Sequence, residues 1–135
     1  MDIEIAFASI SPFIGPRQSA ALIRGRNGEE WPFFQAKIAE IAATIASMPK
    51  TYEQDGKGDD AVAFLHYFFG SWDWYITEKD MLGNGTAQAF GLVKGFASEL
   101  GYISIGEITD AGAELDLHWT PCPLASVWLR HQRAV

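Results

Sequence analysis

The residues best placed by type and spacing to do chemistry are Glu114, Asp116 and His118. In an extended segment side chains alternate between faces, so these three share one face while Leu115, Leu117 and Trp119 share the other. Same-face neighbours on a strand lie roughly 7 Å apart, close enough for two carboxylates and an imidazole to serve one ion or one proton. With Glu78, Asp80 or Glu107 brought in from a neighbouring strand, the set becomes oxygen-rich and suits Mg²⁺ or Mn²⁺. That chemistry would be a small metal-assisted hydrolase or nuclease. The plainer reading is the wet face of an antiparallel sheet, which alternates in the same way. The spacing matches no established metal motif, and H-E-x-x-H is absent from the sequence.

Other reactive residue types are weaker still. His66 lies inside an apolar run, where an imidazole is ordinarily packed and bonded to a nearby carbonyl. A base or ligand role would need a carboxylate such as Asp73 or Glu78 beside it. His131, near the chain end, reads as exposed. Cys122 stands between Pro121 and Pro123 and reads as a small, partly buried hydrophobe, since a nucleophile needs an adjacent base. Glycines 83, 85, 91, 95, 101 and 106 form neither a phosphate loop nor a dinucleotide fingerprint. Gly91 and Gly95 instead mark a bulge or a close neighbour in a strand. Ser9, Ser71, Ser98 and Ser104 lie in no G-x-S-x-G elbow. No cofactor is expected, and no metal site is assigned.

The elements that must carry these residues follow from periodicity. Ile3, Ile5 and Phe7 alternate with Asp2, Glu4 and Ala6, which predicts a short N-terminal strand stopped by Ser11-Pro12 and Gly15-Pro16. A short helix is expected over Arg17 to Arg24, and a longer one from Pro32. Its stripe of Phe34, Ile38, Ile41, Ile45 and Met48 runs at spacings of four and three. After a polar loop at 51–60 the pattern turns to strands: Val62 to Phe69, Trp72 to Thr77, Ala87 to Phe96, Leu100 to Ile105, and Glu114 to Trp119. A helical turn is expected at Ile105 to Ala111 and a short helix at Leu124 to Gln132. Short turns between successive strands mean antiparallel pairing. The expected fold is α+β, one domain over 1–135: a helical part at 1–50 packs on a meandering, mainly antiparallel sheet at 61–127.

Composition narrows the function classes. At 135 residues, 48% hydrophobic and 13% aromatic, the chain can build a real core, which excludes a disordered tail or a miniature metal-dependent fold. A single cysteine excludes an internal disulfide framework. The net charge is -7, and residues 53–116 carry the acidity, with twelve acids against three bases. Direct nucleic-acid binding is therefore disfavoured, because it draws on basic surface. The acidic N-terminus lacks a secretory n-region and no run is long enough to span a bilayer, so a cytoplasmic protein without membrane association is expected.

Several blocks resemble a known family. Trp72-Asp73-Trp74-Tyr75-Ile76-Thr77-Glu78, Phe90-Gly91-Leu92-Val93-Lys94-Gly95-Phe96, Glu99-Leu100-Gly101-Tyr102-Ile103-Ser104 and Glu114-Leu115-Asp116-Leu117-His118-Trp119, followed by Pro121 and Leu124, are similar in order and spacing to the domain-of-unknown-function family 2958. The resemblance covers about residues 61–127. It implies a compact α+β domain and an origin in plasmids, phages or integrated elements, and it brings no catalytic residue with it.

Five tryptophans in so short a chain serve mostly as core, with an exposed recognition platform as the alternative. The functional expectation is an accessory protein of a mobile element acting as a non-enzymatic protein-interaction module, with a defence inhibitor as its most specific form. It would present an acidic, aromatic-bearing sheet face built from Trp72, Asp73, Trp74, Glu78, Asp80, Glu99 and Glu107 to a basic protein surface. The alternative is the metal-assisted enzyme, and a third possibility is self-association through the tryptophan-rich face.

Overall fold

The computed structural model describes the backbone of residues 2–133 and the side chains of residues 2–128. The exposure expected for His131 lies outside the described side chains. Helix α1 (Ile3–Ile10) stands where the alternation of Ile3, Ile5 and Phe7 predicts a strand. Asp2 caps it, its carboxylate accepting the Glu4 amide at 2.7 Å. Ala6 and Ile10 bury completely and Ile3 and Phe7 partly, a helical stripe, while Ile5 faces solvent. Over five residues the two periods overlap, and the cap and the following turn decide between them.

Helices α2 (Pro16–Arg24) and α3 (Trp31–Ser47) follow, so three helices precede the sheet where two were expected. Pro16 and Pro32 occupy first-turn positions, where a missing N–H leaves no bond unmade. The α3 stripe buries Ile38, Ile41 and Ile45, with Met48 just past its end. It packs beside α1 and joins Leu65, Tyr67 and Ile76 of the sheet in one core.

Strands β1 (Val62–Ala63) and β2 (Leu65–Phe69) come from a single apolar run interrupted at Phe64. Then follow β3 (Trp72–Glu78), β4 (Ala89–Lys94), β5 (Ser98–Ile103), helix α4 (Ile105–Asp110), β6 (Glu114–Leu115), β7 (Cys122–Pro123) and helix α5 (Leu124–Arg133). The main sheet is antiparallel in the order β5-β4-β3-β2-β6, and β1 pairs with β7 in a small second sheet. The expected strand Glu114 to Trp119 stops after two residues. The Asp116 carboxylate turns back to accept the His118 amide at 2.9 Å, a local turn that ends the ladder. Among the described residues no helix is long and apolar enough to cross a membrane.

Two glutamines extend the sheets in place of strands. Gln18 on α2 donates to the Leu115 carbonyl at 2.8 Å and accepts its amide at 2.9 Å, closing the outer edge of β6. Gln54 does the same for Val62, at 3.0 and 2.8 Å, and also donates to the Thr77 carbonyl at 2.7 Å.

The main sheet has two covered faces. Leu65, Tyr67, Trp74, Ile76, Ala89 and Ile103 face the helical core. On the other face Tyr75 and Leu92 pack with Ala61, Ala63, Leu124 and Val127 under α5 and the small sheet. That cover stops short of β5, and the gap forms the candidate site.

Candidate functional site

Glu78 reaches this second face through a backbone irregularity. Period-two alternation from Trp72 and Trp74 would send it into the helical core. A one-residue register shift between Ile76 and Glu78 instead sets Glu78 opposite Phe90, on the side of Tyr75 and Leu92. Gly91 makes room for that bend: a Cβ there would lie 1.9 Å from the Tyr75 carbonyl oxygen. The strand position of Gly91 was legible from sequence, whereas its effect on Glu78 was not.

The 51–60 loop closes over Glu78 and leaves a cleft of about 310 Å³. Glu78 is 4% exposed, its Oε1 accepting the Tyr52 amide at 3.2 Å and its Oε2 the Gln54 amide at 2.5 Å. Tyr52 takes φ +79°, the one left-handed non-glycine among the described residues. Such conformations cost about 1–3 kcal/mol and concentrate at functional sites. Phe90, Leu100, Ala61 and Leu124 supply apolar walls. The Tyr52 and Tyr102 hydroxyls, 2.7 Å apart, tie the loop to β5. The phenol of Tyr102 is held above its ordinary range, first by that hydrogen bond. Four of the six buried threonine, glutamine and glutamate side chains among the described residues line this one cleft: Thr51, Gln54, Thr77 and Glu78.

At the other end of β3 the polar chemistry is different. The His66 ring lies flat on Tyr75 at 4.6 Å, with Trp119 at 5.2 Å. Its Nδ1 stands 2.9 Å from an Asp116 oxygen and its Nε2 2.7 Å from an Asp73 oxygen. The carbonyl bond expected for His66 is therefore replaced by two carboxylates. Each ring nitrogen faces one carboxylate. Asp73 is the partner the sequence offered. Asp116 enters because it follows Leu115 in the β2–β6 register and so lies opposite His66, its amide donating to the His66 carbonyl at 2.8 Å.

The residues proposed for metal chemistry do not converge. His118 is exposed and stacks on Phe33 at 5.7 Å, Asp116 is engaged with His66, and Glu114 is exposed at the edge of the sheet. Glu78 lies in the cleft, and Asp80 accepts the Leu82 and Gln88 amides at 3.0 and 2.9 Å. Glu107 is exposed on α4. The cause is the early end of β6, which removes the shared face. Among the described residues, no group of three histidines, cysteines or carboxylates is placed to hold a metal ion.

The expected interaction residues also divide. Trp72 and Trp74 stack at 6.0 Å, Phe96 meets Trp72 edge-on at 5.4 Å, and Glu99 lies on their face of the sheet through its pairing with Val93. Asp73 belongs to His66, Glu78 to the cleft, Asp80 to its own turn and Glu107 to α4. Sequence reasoning missed Tyr52, Gln54 and Tyr102, all outside the acidic and tryptophan-bearing set. The polar loop with its glycines at 56 and 58 was the available signal. Comparison of the chain with protein-family models, with curated proteins and with solved structures finds no match to any of them.

Proposed function

We propose that this protein is an interaction module that adds an extended, basic and apolar segment of a partner protein to the outer edge of β5. The observation that carries the reading is that edge. β5 ends the sheet, and among the described residues no backbone bond reaches its outer side. Its Leu100 and Tyr102 are 55% and 57% exposed and open directly onto the cleft. Free edges are normally blunted by charged side chains, proline or a bulge, and β5, Ser-Glu-Leu-Gly-Tyr-Ile, carries no proline and Glu99 as its one charge. Added strands gain affinity from main-chain bonds and specificity from alternate side chains.

Charge selects the partner. The loop across the cleft exposes Glu53, Asp55, Asp59 and Asp60 against Lys57, and Glu99 flanks the other side of the strand. A basic segment is attracted to this rim, whereas a second copy of the chain would bring the same acids against it. A role as an accessory protein of a mobile element, and its more specific form as a defence inhibitor, draws support from the resemblance to family 2958. The acidic rim suits competition for a basic groove.

The test is a titration of isotope-labelled protein with a capped peptide of alternating arginine and valine. The reading expects slowed amide exchange along Ser98–Ile103 and weaker binding as salt rises. Binding that leaves those amides unprotected, or that ignores salt, would overturn it. So would protection of β5 in the free protein together with a dimer in light scattering.

A further inference from the structure

We infer that the cleft over Glu78 is a receptor for a guanidinium group, and that Glu78 is its counter-ion. The inference rests on strand addition at β5 for its source, an arginine side chain of the added segment, and on the cleft alone for its chemistry. A buried carboxylate ordinarily has a cation beside it, because an unpaired charge is costly away from water. Glu78 has two backbone amides, and no ion pair involves it among the described residues, where the pairs are Arg26–Glu4, Lys37–Glu40 and His66 with Asp73 and Asp116. The lysine next to it in sequence points elsewhere: Lys79 donates to the Ile45 carbonyl at 2.7 Å, at the end of α3.

Each Glu78 oxygen accepts one amide and retains a lone pair, so the carboxylate can take two further donors. The cleft surrounds it with what a planar cation on an apolar stem requires. The rings of Tyr52, Phe90 and Tyr102 line the space, with Phe90 and Tyr102 packed edge to face at 5.6 Å. Such rings attract cations, guanidinium most often. Leu100 and Leu124 cover a methylene stem. Thr51, Thr77 and the tyrosine hydroxyls add acceptors for a fork of five N–H groups, which an ammonium could not use as fully. The Asp55 carboxylate at the rim adds attraction without burial.

Capped arginine amide, capped lysine amide and capped citrulline amide, titrated separately against the labelled protein, test the site without any added strand. Citrulline keeps the shape and loses the charge. The inference expects shifts at Tyr52, Gln54, Glu78 and Tyr102 with arginine, weaker binding of lysine, and citrulline about tenfold weaker than arginine or undetectable. Citrulline binding as well as arginine would overturn it, as would shifts confined to the exposed loop acids. Glu78→Gln should abolish the preference for arginine over citrulline. Because that change disturbs the loop amides, Leu100→Lys provides a second variant, at an exposed position, whose ammonium competes for the cleft and should reduce arginine binding to the same extent. An unchanged affinity in Leu100→Lys counts against the site. The alternating peptide and its citrulline version separate the two readings. Equal affinity with β5 protected leaves strand addition standing and removes the guanidinium site. Capped arginine seated in the cleft, with no peptide protecting β5, does the reverse.

Discussion

Two carboxylate networks lie on one face of the same sheet, at opposite ends of β3, and they are completed in opposite ways. Around His66, two aspartates from β3 and from the turn after β6 flank one imidazole, which lies flat on Tyr75 in a three-ring cluster with Trp119. Every charged group there has a partner within the chain, so the cluster acts as a clasp that holds β6 and its turn onto β2 and β3. Around Glu78 the partners are neutral amides, the backbone is strained at Tyr52, and a cleft remains open. The first network is closed and fits a structural role. The second is open, with the left-handed Tyr52 beside the cleft, and it fits the binding role proposed above.

The largest test of this contrast acts on the bulge that creates the open end. Gly91→Ala sets a methyl group 1.9 Å from the Tyr75 carbonyl, which only backbone movement relieves. It should cost about 3 kcal/mol, read from the urea midpoint, and the survivors should lose the Glu78 amide bonds first. A loss below about 1 kcal/mol would show that β3 and β4 absorb the methyl and that the register shift is soft.

Next in size is the closed end. His66→Leu leaves Asp73 and Asp116 without the imidazole between them, Asp116 keeping only the His118 amide. Both are about a quarter exposed, so the cost should fall below that of a fully buried pair, at about 2 kcal/mol. In an Asp116→Asn background the same substitution should cost about half as much, because one of the opposed charges is gone. Strict additivity between the two changes would mean that the imidazole and the aspartate do not interact in solution.

How far each end was legible in the sequence follows from the range of the interactions. The α3 stripe, the hairpin at Gly70-Ser71 and the meander β2 to β5 come from local periodicity and turn chemistry, and they stand as read. The N-terminal segment was misread because Ile3 to Phe7 satisfies both periods, and Asp2 as a helix cap was the overlooked residue. The Glu114-Asp116-His118 face failed for a related reason: an aspartate inside an alternating run can fold back on the amide two residues later. The cleft was least visible. Its key placement depends on a register shift of one residue, and period-two reasoning inverts every side chain beyond such a shift. The pairing of Asp73 with His66 was nameable because the two lie on adjacent strands across a tight hairpin, at facing diagonal positions.

The smallest prediction sets a third polar group, on the opposite face of the sheet, against both ends. Tyr67 is fully buried in the helical core and donates its hydroxyl to the Phe13 carbonyl at 2.5 Å. Burial pushes its phenol far above the ordinary value near 10. The folded chain therefore keeps the proton when the unfolded chain loses it. Below about pH 10 both states are protonated, and Tyr67 gives no pH dependence. Above it the unfolded state binds fewer protons, so stability should fall by about 1.4 kcal/mol per pH unit from this group. Tyr67→Phe should cost about 1 kcal/mol at neutral pH for the lost bond and should flatten the alkaline decline relative to the parent. Tyr102→Phe should flatten it less, because Tyr102 is exposed and its phenol is raised first by the Tyr52 hydrogen bond and not by burial. Parallel alkaline profiles for the parent and Tyr67→Phe would mean that the core opens to solvent before the phenolate forms. The helical face would then be no more closed than the cleft on the other side.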